Sequence, residues 1–191
     1  ELEIDFAISE PGLGRFRIAV FHQRGNPAMV LRYITADMPS LEELGLPYRL
    51  HLIDLLKEEQ MTPAFLAINP NNKIPAIVDT EGPDGQPLTL WESGAILIYL
   101  AEKARSELLP TEARARYTTL QWLMFQMAGV GPMFGQAGHF TLYAKQQVPY
   151  GIERYSNEAK RLLGVMDKRL GESTYLAGEQ YTIADIAVFP W

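Results

Sequence analysis

Two short stretches of this chain place reactive residue types where backbone geometry can use them. In LWESGAILIYLAEK, residues 90–103, Glu92 and Ser93 stand where an apolar strand-like run passes into a helix-like one. The exposed amides of a first helical turn and the Ser93 hydroxyl can hold a carboxylate there, while Glu92 accepts from an ammonium. Carboxylate and ammonium side by side are the head group of an amino acid; the competing reading is a plain helix cap. In NPNNKIPAIVD, residues 69–79, Ile74-Pro75 opens a strand. Proline has no amide hydrogen for the ladder. The pair is therefore either an edge-strand proline or a cis turn that leaves the Ile74 backbone free to pair with an extended peptide.

Other chemistries are limited by what the chain holds. Its 191 residues include no cysteine, so disulfides and thiolate metal sites are ruled out and any thiol must come with a ligand. The three histidines, His22, His51 and His139, lie far apart without paired spacing, and no metal site is expected. A net charge of -6 and a pI near 5.1 argue against nucleic acid, whose binders concentrate Lys and Arg on one face. No run approaches the roughly 20 apolar residues of a membrane span. The N-terminus lacks a basic region followed by an apolar one, so the expectation is a soluble, cytoplasmic protein with no membrane partner.

The elements that must position these residues can be read from periodicity. Leu2, Ile4, Phe6 and Ile8 alternate as in a strand that ends at Pro11, Gly12 and Gly14. Tyr48, Leu50 and Leu52 alternate again after the turn-like residues 45–47, and residues 75–79 and 88–92 flank TEGPDGQP as a hairpin. From residue 93 every segment reads as helix. Ile152, Tyr155, Ala159, Leu162, Leu163, Met166 and Leu170 form one apolar stripe. Thr182 can cap a late helix, Asp185 can reach back to the free amide, and Tyr181 with Ile186 has the spacing of a hydrophobic staple. That is a folding signal and gives Asp185 no active-site role. Trp122, Phe125, Met127, Met133 and Phe134 are assigned to the core, with a break at GVGPMFGQ that can bend a helix. The expected fold class is an α/β N-terminal domain, residues 1–105, with a mixed four-stranded sheet. An all-α domain, residues 111–191, follows a polar linker containing proline.

Together, PNNKIPAIVD and ESGAILIYLAEK resemble the glutathione site of the glutathione transferase family. TLQWLMFQ, GPMFGQ, VPYGIERY and TIADIAVFPW are similar to the bacterial and fungal Nu-class members and the related fungal nitrogen regulators, and the resemblance spans most of residues 41–191. It implies a thioredoxin-like N-terminal domain, glutathione as co-substrate, a homodimer, and a small disulfide or electrophile as second substrate. It implies that the Ile74 backbone, next to a cis Pro75, pairs with the cysteinyl unit and that Glu92 and Ser93 hold the γ-glutamyl head group. Gln60 and Lys73 would contact the glycyl end, and Arg154, in IERY, would reach the glutathione of a partner subunit.

The pattern departs from the family in two places. Where family members carry a Thr-Pro-Asn-Gly type loop facing the glutathione sulfur, this chain has Gly12, Leu13 and Gly14. That alignment puts the family's first helix on residues 15–21 and sets residues 22–40 apart as an insertion, either a surface excursion or a translated non-coding segment. Ser9 and Glu10 are then the nearest groups able to hydrogen-bond a thiol, and are the candidate catalytic residues. The chain also stops at Trp191, inside a helix only just capped, so the helical domain is expected to be incomplete. The leading expectation is a glutathione transferase that reduces small disulfides by thiol exchange. The alternative is a non-catalytic glutathione-binding or regulatory module, which the altered loop supports. A ligand-free interaction domain comes third, favoured by the early end and opposed by the Glu92-Ser93 pair.

Overall fold

The computed structural model describes residues 4–10, 14–23, 26–34 and 44–191, the first three stretches as backbone strands. It divides into two units, residues 1–43 and 44–191. In the first, β1 (Ile4–Glu10) pairs antiparallel with β2 (Gly14–Gln23), which pairs antiparallel with β3 (Asn26–Ile34). Ile4 lies opposite Val20, Ser9 opposite Arg15, and Arg15 opposite Ile34. The composition of FRIAVF, rich in β-branched and aromatic residues, favours a strand over a helix. Residues 15–21 are thus strand, which corrects their alignment with a helix. Of the expected insertion, residues 22–40, the first two close β2 and most of the rest form β3.

The second unit starts without regular structure. The strand expected around Tyr48, Leu50 and Leu52 does not form: residues 46–54 are irregular, with Leu50 73% and Leu52 85% exposed. Alternation sorts side chains between two faces, but it supplies no neighbouring strand to take the backbone hydrogen bonds. For the same reason the expected mixed four-stranded sheet is corrected. The described strands form two antiparallel sheets, the meander and a hairpin of β4 (Ala76–Asp79) and β5 (Leu88–Trp91). The hairpin follows the expected register, Ala76 opposite Trp91 and Asp79 opposite Leu88. Its loop closes through the Gly82 amide donating to the Gln86 carbonyl at 3.0 Å, with Gly85 at φ 75°, where a glycine is favoured.

The helices begin with α1 (Pro63–Leu66), capped by the Thr62 hydroxyl, and α2 (Ser93–Lys103), which follows β5 directly. Next, α3 (Ala113–Phe125) runs through a π-turn, Gln126–Val130, into α4 (Gly131–Gly138) and a second π-turn, His139–Tyr143. The expected break at GVGPMFGQ is therefore a widened turn within one helical path. Pro132 has no amide to donate to the preceding turn, and a π-turn accommodates that gap. The longest helix is α5 (Pro149–Glu172). Its apolar stripe is narrower than the sequence suggests, because Leu162 and Met166 are buried while Leu163 and Leu170 are exposed. The chain closes with α6 (Ile183–Val188), where the expected capping box is present. The Thr182 side chain accepts from the Ala184 amide, and the Asp185 carboxylate accepts from the Thr182 amide at 2.9 Å.

Two apolar clusters hold this unit together. Ala101, Leu109, Leu123, Ile183 and Ala187 join α2, α3 and α6, with Met127 packed against them. Val130, Met166 and Leu176 form the second, with Trp122, Phe125 and Phe134 against it. Assigning Trp122, Phe125, Met127 and Phe134 to the core agrees with this packing. Among the described residues no helix is long and apolar enough to cross a membrane.

Candidate functional site

Two short elements, the loop before β4 and the junction of β5 with α2, meet at one edge of the second unit. Asn69 is buried, and it shapes the loop from within. Its side-chain amide donates to the Lys73 carbonyl at 2.6 Å, and its oxygen accepts from the Asn71 amide at 2.8 Å. Asn72 takes the left-handed conformation, φ 48°, which asparagine tolerates, and its amide nitrogen donates to the Met61 sulfur at 2.7 Å. That contact ties the loop to the single turn Glu59–Met61 that carries Gln60. The Ile74-Pro75 bond is cis, and Ile74 is half exposed just before β4 begins.

At the other element, Glu92 occupies the N-cap of α2 with φ 70°, a conformation that L-residues seldom adopt and that clusters at ligand sites. Its side chain does not cap the helix; it is exposed and lies 3.5 Å from the Asn71 side-chain nitrogen, so the two elements touch. Because no side chain caps α2, the amides of its first turn stay available to an anion. Ser93, half buried, is the first helical residue, and its hydroxyl donates to the Met127 sulfur at 3.9 Å.

A carboxylate behind the junction fixes α2 to the hairpin. Asp79, the last residue of β4, accepts from both the Lys103 ammonium and the Tyr99 hydroxyl, one helical turn apart on α2. Lys103 also donates to the Glu81 carbonyl at 2.8 Å. The Lys103 ammonium first, and the Tyr99 hydroxyl second, hold the Asp79 carboxyl down at about 2. The same contact to Asp79 raises both Tyr99 and Lys103.

The structure thus brings Gln60, Lys73, Ile74, Pro75, Glu92 and Ser93 onto linked elements. Lys73 is exposed, and Gln60 is half buried with its Oε1 unpaired among the described residues. Arg154 is exposed on α5, and no hydrogen bond or ion pair among the described residues joins it to this group. Ser9 and Glu10 are ladder residues at the end of β1, opposite Arg15 and Gly14, rather than loop residues. Their side chains, and Gly12 and Leu13, lie outside the described residues. A surface depression at the start of α3, lined by Glu112, Arg114, Tyr117 and Gln121 among others, includes none of the expected site residues. Sequence reasoning missed Asn69, whose signal was the turn-forming Asn-Pro step, and the Asp79 clamp, whose signal was the four-residue spacing of Tyr99 and Lys103.

Comparison with known proteins identifies the family. Residues 40–103 match the family model of the glutathione S-transferase N-terminal domain, and residues 149–191 that of its C-terminal domain. Over 152 residues the chain is 57% identical to the disulfide-bond oxidoreductase YfcG of Escherichia coli, covering 79% of this chain and 70% of that protein. A glutathione transferase family member from Pseudomonas fluorescens, solved with two glutathione bound, matches with a TM-score of 0.76 and 60% identity, over 79% of this chain and 67% of that one. The Pseudomonas putida glutathione transferase, solved with one glutathione disulfide per subunit, gives 0.75 and 53% over 79% and 66%. The chain belongs to the glutathione S-transferase family, with its thioredoxin-like N-terminal and helical C-terminal domains. It spans about two thirds of the length of these relatives, and within the family it is similar to a disulfide-bond oxidoreductase.

Proposed function

We propose that this protein binds glutathione at the junction of the 69–75 loop with α2 and uses it to reduce small disulfides. The observation that carries this reading is Glu92, held at φ 70° beside the uncapped first turn of α2 and 3.5 Å from the loop side chain of Asn71. In this reading Glu92 accepts from the γ-glutamyl ammonium. The Ser93 hydroxyl and the α2 amides donate to its carboxylate, and the exposed Ile74 backbone pairs with the cysteinyl unit. Gln60 and Lys73 lie towards the glycyl end, and Arg154 serves the glutathione of a second subunit in a homodimer. Ser9 and Glu10 are the groups we assign to hydrogen-bond the glutathione thiol.

The chemistry is thiol exchange. The glutathione thiolate attacks one sulfur of the substrate disulfide, the other sulfur leaves as a thiolate and takes up a proton, and a mixed disulfide remains. A second glutathione thiolate attacks that mixed disulfide, releasing the second thiol and glutathione disulfide. Attack requires the thiolate, so groups that lower the thiol pKa set the rate, and the same activated sulfur can also attack a small electrophile. Reduced glutathione is abundant in the cytoplasm, where we place the protein. We set the boundary between its two domains, residues 1–105 and 111–191, at the linker between them.

The alternative, a binding module without turnover, is favoured by one observation: Ser9, Glu10 and Gly14 belong to a strand ladder instead of a loop. Retention of the purified protein on immobilised glutathione, followed by a disulfide-reduction assay on the eluate, separates the two. Retention with turnover supports the enzyme; retention without turnover supports the module; no retention refutes both.

A further inference from the structure

The first turn of α2 carries the residue that would meet the glutathione head group, yet no side chain caps it and Glu92 points elsewhere. Its support comes from the helical domain. Met127 lies in the π-turn Gln126–Val130, whose two ends, Gln126 and Val130, are buried. Its side chain packs against the core formed by α2, α3 and α6. From that anchored position its sulfur receives the Ser93 hydroxyl at 3.9 Å. Gly94 makes the approach possible, because a Cβ there would stand 2.6 Å from the Met127 sulfur and 3.1 Å from its Cγ. Any larger residue would drive the thioether away from Ser93.

We propose that Met127, seated in the notch at Gly94, is a positioning residue for the glutathione head group, acting through Ser93. A thioether is a weak acceptor. Packed against Ser93, it fixes the side-chain rotamer both while the site is empty and after the hydroxyl hydrogen turns to a carboxylate. The ordering of Ser93 is then complete before the ligand arrives, which is how pre-organisation strengthens binding. The inference rests on the reading that Ser93 meets glutathione, and the experiment separates the two.

Glutathione titrations of the full chain by calorimetry, on wild type, Ser93→Ala, Met127→Ala and the double variant, form a cycle. Because Met127 acts through Ser93, Met127→Ala is expected to weaken binding about fivefold in the wild-type background and less than about twofold once Ser93 is gone. Gly94→Ala, which keeps both side chains but displaces the thioether, is expected to behave in the same way and stands in if Met127→Ala does not fold. A loss of equal size in both backgrounds, or no loss in either, overturns the positioning role alone. Failure of wild type to bind, or equal affinity of wild type and Ser93→Ala, overturns the underlying assignment of Ser93 and this inference with it.

Discussion

Replacing Asp79 with Asn tests whether the clamp behind the site holds α2 to the hairpin by charge. The carboxyl lies at about 2 instead of the usual 3.8, held down by the Lys103 ammonium and then the Tyr99 hydroxyl. Each pKa unit corresponds to about 1.4 kcal/mol, so the displacement sets a ceiling of roughly 2.5 kcal/mol. The side chains of Asp79 and Lys103 are 15% and 29% exposed, and solvent screening brings the expected contribution to about 1–2 kcal/mol. The folded value lies below the unfolded one. The stabilisation is therefore complete above the unfolded value and is lost as the pH falls from about 4 through about 2. Urea unfolding of wild type and Asp79→Asn at a series of pH values reads this directly. The two should differ by about 1–2 kcal/mol at neutral pH and converge near pH 2. A difference of the same size at neutral pH and at pH 2 would show that shape and neutral hydrogen bonds, not charge, hold the clamp.

Ser93→Ala should weaken glutathione binding roughly tenfold or more, the loss of a charge-assisted hydrogen bond worth about 1.5–3 kcal/mol, with the unfolding midpoint nearly unchanged. Thr182→Ala removes the oxygen that accepts from the Ala184 amide and should cost about 1 kcal/mol in urea unfolding. Asp185→Ala should cost more, because its carboxylate also accepts from the Leu176 amide at 2.9 Å. Gly151→Ala would place a Cβ 2.8 Å from the Phe140 ring, which stacks on Tyr155 with centroids 5.3 Å apart. It should destabilise the α5 contact by about 1–3 kcal/mol and alter the near-ultraviolet circular dichroism.

What the sequence discloses and what it hides divide along the range of the interactions. Ile74-Pro75, Glu92-Ser93 and the Thr182–Asp185 box are legible because turns and caps are made between residues a few positions apart, so each appears as a contiguous string. The strand expected at Tyr48–Leu52 fails for the opposite reason: alternation is local, but a strand exists only if a distant segment pairs with it, and Leu52 is left 85% exposed. Residues 15–21 show the same limit from the other side. Neighbouring motifs align them with a helix, whereas their own backbone pairs across to β1 and β3.

The site itself has both kinds of part, and this bears on how it would fail. Most of its proposed ligand-facing groups, Lys73, Ile74, Glu92 and Ser93, sit in two local strings. Their placement depends on contacts remote in sequence: Asn71 to Glu92, Asp79 to Tyr99 and Lys103, and Met127 to Ser93. Most of these supports act on α2, from the hairpin at its C-terminal end and from the helical domain at its N-terminal end. Of these, only the Met127 contact reaches Ser93; the Asp79 clamp acts on Tyr99 and Lys103. Variants of Asp79 and Met127 should therefore separate by what they disturb. Loss of the clamp lowers stability in a pH-dependent way, whereas loss of the thioether lowers glutathione affinity only while Ser93 is present.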